Sequence, residues 1–272
     1  MSVDVGAAPV IQAPREGGGW RAAFEFWWLT YQRTWRGSLF TSFLSPLLYL
    51  AAMGFGLGTM VRQIDAGNGL MVTYVAFVAP GVLAATAMQT AVGESSYSVM
   101  GAIKWQRQYH AMLATPMSVR ELLTGHLAFV TVRVAITSSV FLVVAAVLGA
   151  IPSWWAVLAL PAAVLTGVAF ATAVFAFAAS QDNDQGFNVL FRFIITPMFL
   201  FSGTFFPVEQ LPGWLHPVAW ATPLWHGVEL CRSLTLGSVD AGSALLHVTY
   251  LVVWVAAAAV LAHRAFSRRL IK

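Results

Sequence analysis

Charge is scarce in this 272-residue chain: Asp, Glu, Lys and Arg make up 10% of it, against 58% hydrophobic residues. A soluble domain carries about a quarter charged residues. So little polar material cannot cover a globular surface, and the apolar surface must face lipid. The mean hydropathy of +0.73 agrees. Cysteine is nearly absent as well, with Cys231 alone, so an internal disulfide is excluded. Lysine occurs twice, at Lys104 and Lys272. A P-loop needs glycines followed by Lys and then Ser or Thr, so that backbone N–H groups cradle phosphates. Lys104 precedes Trp105 and Lys272 is the last residue. Nucleotide hydrolysis by that route is excluded, and an ATP-driven process must draw its engine from another polypeptide. There is no His-Glu-x-x-His run and no Ser-His-Asp arrangement to read from spacing. His226 and Glu229 stand three apart and share a helix face, but a zinc site needs more ligands; the pair reads as structural. The net charge of +4 is not gathered into a basic groove, so no nucleic acid is expected.

What is present is a set of apolar runs about the length a bilayer requires, roughly 20 residues each. Six are expected, at about Leu39–Met60, Val72–Val92, Leu127–Leu148, Trp154–Ala179, Val189–Phe206 and Leu245–Ala262. The fold class is therefore an all-α membrane protein. With the N-terminus inside, Arg15, Arg21, Arg33, Arg36, Lys104, Arg107, Arg120, Arg192, Arg264, Arg268, Arg269 and Lys272 fall on inner segments. Only Arg62 and Arg232 fall outside, and Arg133 lies within a span. The positive-inside bias puts both termini in the cytoplasm, as an even number of helices requires. Residues 1–19 lack the apolar core of a secretory signal and read as a disordered cytoplasmic tail. Residues 20–37 form a separate amphipathic helix, 38–266 the transmembrane domain and 267–272 a short cytoplasmic tail.

Trp20, Phe24, Trp27, Trp28, Tyr31 and Trp35 share one arc of a helix, with Arg21, Glu25, Gln32, Arg33 and Arg36 beside them. Tryptophans opposite arginines suit the headgroup region; a face packed on a soluble partner is the rival. Between the second and third spans, Ala102, Trp105, Tyr109, Met112 and Leu113 fall on one helical face and Lys104, Arg107, Gln108 and Ala111 on the other. That short helix ends at Thr115-Pro116, and periodicity does not separate a headgroup-lying helix from a lever docked into a soluble partner. Glu94, where the second span leaves the membrane, and Arg133, inside the third, form a candidate ion pair, because ionisable groups in lipid are paired or line a cavity. Snorkelling of Arg133 is the alternative. Asp182 and Asp184 flank Asn183 in a short inner turn and read as helix caps. Gly54 and Gly58 make a small-xxx-small face for close helix packing. Pro207, Pro212, Pro217 and Pro223 punctuate a Trp- and Leu-rich stretch too broken to span and too apolar for a free loop. Short helices buried by protein at the outer leaflet satisfy such a backbone. Pro223–Leu236 is the last of them, with Pro223 suited to a first helical turn.

Three stretches carry a resemblance. Phe77-Val78-Ala79-Pro80-Gly81-Val82-Leu83-Ala84 with Ala87-Met88 resembles the second-span signature of ABC-2 type ABC transporter permeases, in the branch of NodJ and the daunorubicin exporter subunit DrrB. Glu94 and Tyr97, Gln106-Arg107 and Ala111-Met112-Leu113-Ala114-Thr115-Pro116 are similar to the inner segment of that branch. Phe201-Ser202-Gly203-Thr204-Phe205-Phe206-Pro207, Leu211-Pro212 and Pro223-Leu224-Trp225-His226 with Glu229 and Arg232 are similar to its outer hallmark. Gly125-His126 departs from the Gly-Glu of NodJ proteins. The resemblance implies a six-helix half-transporter in the bacterial plasma membrane, paired with a second permease as a homodimer or heterodimer and bound to two ABC ATPase subunits. The chain itself then holds no cofactor, and ATP with Mg acts through the ATPase. It further implies that 20–36 is an interfacial connecting helix. Ala102–Ala114 becomes a coupling helix, with Lys104, Gln106, Arg107, Thr115 and Pro116 as its ATPase-facing residues. Phe206, Pro207, Leu211, Pro212 and Pro223 belong to a re-entrant outer gate before the sixth span. Family substrates are amphipathic: drugs, lipids or lipid-linked glycans. A polytopic membrane enzyme acting on lipids is the alternative; it calls for carboxylates or histidines gathered at one interface, whereas the charges here are scattered.

Overall fold

The computed structural model describes residues 18–61, 63–66 and 69–271, with the side chains of 38–43, 45, 46, 54, 55, 57 and 59 outside the description. The expected tail up to residue 17, Arg62, the side of Gly54 and Lys272 thus lie outside the described residues. Helix α1 (Gly19–Ala51) passes through a π-helical turn (Ala52–Leu57) into α2 (Gly58–Met60). The separate amphipathic helix and first span therefore share one continuous rod, with no break near residue 37. A small antiparallel hairpin, β1 (Ile64–Asp65) and β2 (Met71–Val72), precedes α3 (Tyr74–Ser95) and α4 (Tyr97–Met100). A π-helical turn (Gly101–Trp105) leads to α5 (Gln108–Leu113) and the long α6 (Val119–Val147). Then come α7 (Ala159–Ser180), α8 (Gln185–Val189), a π-helical turn (Leu190–Ile195), α9 (Thr196–Phe201), α10 (His216–Trp220), α11 (Pro223–Leu236) and α12 (Ala241–Leu270).

The protein is an all-α membrane protein. Among the described residues four helices are long and apolar enough to cross a bilayer: Tyr74–Trp105, Val119–Val147, Trp154–Ser180 and Ala241–Leu270. These correspond to the second, third, fourth and sixth expected spans. Half of the side chains of the first lie outside the description, and the fifth is a shorter apolar helix, Gln185–Phe201.

Helix α3 sits at the centre because its residues are apolar and mostly small all round, the signature of a helix buried on every side. Val78, Ala84, Ala85, Ala87, Met88, Ala91 and Val92 are wholly buried. It packs against α6, α7 and α11; α1 packs on α6, and α12 on α7. At Gly81 an added Cβ would lie 2.6 Å from the Thr204 carbonyl oxygen, so only glycine lets the 202–206 turn rest on α3. At Gly125 it would lie 2.6 Å from the Ala23 Cβ, so glycine brings α1 against α6. The Ser118-x-x-Glu121 capping box starts α6, and Glu121 Oε1 also accepts from the Gly19 N–H at 3.1 Å. One carboxylate thus fixes the starts of two helices. By contrast α12 is sparsely buried; Leu245, Leu246, Val252, Val253, Val260 and Leu261 stay exposed and form its lipid-facing side.

Candidate functional site

The segment between α3 and α6 departs from a single amphipathic helix. Arg107 has φ +53, the left-handed region unfavourable for a side chain with a Cβ, and splits the run into the Gly101–Trp105 turn and α5. The break redirects the two halves, so Trp105 does not share a buried face with Tyr109: Trp105 is 62% exposed and Tyr109 fully buried. Lys104, Gln106, Arg107, Thr115 and Pro116 are all exposed. Lys104 Nζ donates to the Asp182 carbonyl, and Arg269 pairs with the Asp182 carboxylate at 2.8 Å. Asp182 is therefore an anchor for the end of α12, and Asp184 stands at the N-cap of α8 without a side-chain capping bond; beside it Asn183 Oδ1 accepts from the Gln185 N–H at 3.2 Å. Ile103, Lys104, Arg107, His110 and Arg269 line a basic recess of about 550 Å³.

Tyr109 is the plug beneath this surface. Its hydroxyl and His126 Nδ1 of α6 share a hydrogen bond. Its ring lies 6.3 Å from Trp27 of α1 and 5.8 Å from Phe266 of α12. Trp27 stacks on His126 at 4.0 Å, and Phe175 of α7 approaches His126 at 5.0 Å. Burial pushes the Tyr109 phenol well above its ordinary pKa, so it stays neutral. Sequence reasoning missed this socket, whose members come from five separate helices. The aromatic arc of α1 meets it as well: Trp27 is buried and Phe24, Trp28 and Tyr31 are half-buried, against α6.

Glu94 and Arg133 are brought together: Arg133 Nε donates to Glu94 Oε1 at 3.0 Å, and the guanidinium lies 4.1 Å over the Tyr31 ring. Arg133 is 5% exposed. At the opposite end of α3 the proline-rich stretch folds into short 3₁₀ turns, Val208–Gln210 and Gly213–Leu215, followed by α10 and α11. Pro223 opens α11 at its first turn, with the Thr222 hydroxyl accepting from the Trp225 N–H at 3.2 Å. Phe206, Pro207 and Leu211 are half-buried, Pro212 exposed and Pro223 buried. His216 Nε2 donates to the Leu211 carbonyl at 2.9 Å.

Arg232 holds this end together, a role that sequence reasoning did not assign to it. It is 4% exposed, pairs with Glu229, donates to the carbonyls of Gly203 and Phe77, and lies 4.0 Å over the Phe77 ring. Glu229 is thus committed to Arg232, while His226 bonds His247 of α12 at 2.8 Å, so the two do not share a ligand site. Among the described residues no group of three or more metal-ligating side chains occurs. Glu209, Glu229, Asp65 and Asp240 surround a cavity of about 790 Å³ here with Arg232 and Pro207. One end of the bundle is therefore rimmed with bases and the other with acids.

A central helix with its faces buried, a split basic segment at one end and a proline-rich turn at the other are the frame of a multi-pass membrane protein. The family model for ABC-2 type transporters matches residues 21–236, and the chain belongs to that family. It is 33% identical to nodulation protein J of Rhizobium leguminosarum bv. viciae over 267 residues, 97% of this chain and 99% of that protein. It is 33% identical to nodulation protein J of Rhizobium meliloti (strain 1021) over 230 residues, covering 84% and 86% of the two chains. With the protein of the same name from R. leguminosarum bv. trifolii the identity is 35% over 222 residues, 80% of this chain and 81% of that one.

Proposed function

We propose that this chain is the permease subunit of an ATP-driven exporter that moves an amphipathic substrate, a drug, lipid or lipid-linked glycan, out of the cytoplasm or the inner leaflet of a bacterial plasma membrane. The basic end is cytoplasmic, following the positive-inside bias; the acid-lined end, with Phe206, Pro207, Leu211, Pro212 and Pro223, is the outer gate. Two ABC ATPase subunits dock at the basic end, a second permease completes the pathway, and ATP with Mg stays on the ATPases. Membership of the ABC-2 type family supports the ATPase partnership.

The observation that carries the reading is the exposed rim of Lys104, Gln106, Arg107, Thr115 and Pro116 around buried Tyr109. An ATPase that grips the rim moves Tyr109, and Tyr109 touches α1, α6 and α12 together. Closure of the ATPase dimer thereby biases the membrane helices between two packed arrangements. The Lys104→Glu/Arg107→Glu double variant tests it by co-purification with the ATPase. Rim charges set association and its salt dependence, so retention falls by about tenfold while the permease itself elutes normally. ATPase bound at wild-type strength would sink the docking assignment.

A further inference from the structure

At the basic end, α6, α7 and α12 enclose a cavity of about 580 Å³ that the transport reading does not use. Its wall is apolar: Leu123 and Leu127 of α6, Phe175 of α7, and Ala259 and Ala262 of α12. Its rim is cationic, with Arg120 at the start of α6 and His263 and Arg264 near the end of α12. No Asp or Glu is among the described residues that line it. Glu121, beside Arg120 in sequence, is committed to the Gly19 N–H and to Ser118. The His263 Nδ1 is buried without a hydrogen-bond partner among the described residues. The rim thus gathers two arginines, with no carboxylate among the described residues that line it.

The groove also opens the right way. Val260 and Leu261, on the same turn of α12, are 50% and 57% exposed and belong to its lipid-facing side. From Arg120 to Leu127 the groove descends about 10 Å along α6, at 1.5 Å per residue. A ligand must therefore combine an anionic head with an apolar tail that continues into the bilayer.

We infer that this groove binds an anionic phospholipid, its phosphate held by Arg120 and Arg264 and an acyl chain lying on Leu123, Leu127 and Phe175. Basic pockets between transmembrane helices select such headgroups, because each cation near the surface adds attraction that a zwitterionic lipid does not receive. The bound lipid fastens α12 to α6 across α7, at the end where α12 also carries Phe266 of the aromatic socket.

The test uses the full chain in detergent, with native mass spectrometry counting retained lipid as phosphatidylglycerol or phosphatidylcholine is titrated. Wild type holds phosphatidylglycerol in preference to phosphatidylcholine. Arg120→Ala/Arg264→Ala weakens phosphatidylglycerol by about thirtyfold, two cations' worth of attraction, and leaves phosphatidylcholine unchanged. Ala259→Trp keeps both arginines but fills the groove, and it too lowers phosphatidylglycerol retention. Equal retention by wild type and the double arginine variant overturns the proposal, as does equal binding of the two lipids. Displacement by glycerol 3-phosphate at concentrations similar to those of the lipid would reveal a phosphate site without an acyl groove, and would overturn it as well. Should Ala259→Trp fail to fold, the double arginine variant, altered only at exposed positions, decides alone.

Discussion

At the acid-lined end of the bundle a single buried guanidinium joins three pieces of chain: Arg232 bonds Glu229 on its own helix, the Gly203 carbonyl of the 202–206 turn and the Phe77 carbonyl of α3. At the basic end the central group is Tyr109, whose hydroxyl shares a hydrogen bond with His126 and whose ring packs against other rings in the apolar core. The first arrangement is directional, since each of the three guanidinium nitrogens donates to an acceptor of its own and a small shift leaves a buried polar group unpaired. The second is largely non-directional, and rings slide over one another at little cost. The comparison assigns stiffness to the acid-lined end and compliance to the basic end.

The largest effect that can break this comparison lies at Arg232. Arg232→Met keeps the length of the side chain but removes its donors, leaving the carboxylate of Glu229 and two carbonyls without their partner. Glu229 is itself 33% accessible, so water softens the loss of the pair as it does at Glu94, but two carbonyls lose their donor as well, and the total should be about 3 kcal/mol. The variant should lose most of its folded yield, read as the monodisperse peak on size exclusion and as a fall in Tm in detergent. A Tm close to that of wild type would mean that the 202–206 turn is held by packing alone, and the contrast between the ends would disappear.

Glu94 and Arg133 occupy an intermediate place. Arg133 is deep in α6 and nearly buried, but Glu94 is partly exposed, with 27% of its side chain accessible, so water softens the loss. Glu94→Gln and Arg133→Gln should each cost about 2 kcal/mol, below the range for a fully buried pair. The Glu94→Arg/Arg133→Glu swap should recover part of that. Recovery is incomplete because a carboxylate at 133 faces the electron-rich ring of Tyr31, where the guanidinium made a favourable cation–π contact. A swap no more stable than the worse single variant would show that the two groups act separately.

How much of this was legible beforehand follows from the range of each interaction. The long helices came from apolar runs, a signal summed over some 20 neighbouring residues. The start of α11 came from local chemistry, because Pro223 fits an N-terminal turn; the structure ends the helix at Gly237, at φ +76, where a Cβ is unwelcome. Glu94 and Arg133 were paired from cost alone, because lipid leaves an ion few options. The socket around Tyr109 left no such trace. Trp27, Tyr109, His126, Phe175 and Phe266 each look like ordinary apolar-face residues in their own helices, and only the packing of five helices brings them together. Periodicity also assumed an unbroken helix through Arg107. The left-handed turn there violates that assumption, exposes Trp105 and turns the two halves of the segment apart. Asp182 was read as a cap because capping is local, whereas its partner Arg269 is 87 residues away.

The smallest effect sharpens the comparison most. Tyr109→Phe removes the hydrogen bond to His126 and keeps the ring. A net hydrogen bond of this type is worth about 1 kcal/mol, somewhat more if the buried His126 nitrogen goes unpaired. Folded yield should be near that of wild type, with a modest fall in Tm. Tyr109→Ala, which empties the socket, should cost several times as much, since removing a buried aromatic ring costs about 3–5 kcal/mol. If the coupling end is compliant because it is held by rings, ATPase activity of the assembled transporter should survive Tyr109→Phe and fail in Tyr109→Ala, while ATPase retention survives both. Equal loss of activity in the two variants would make the hydroxyl the transmitting group. The basic end would then be as directional as the acid-lined end, and the assignment of compliance to it would have to be withdrawn.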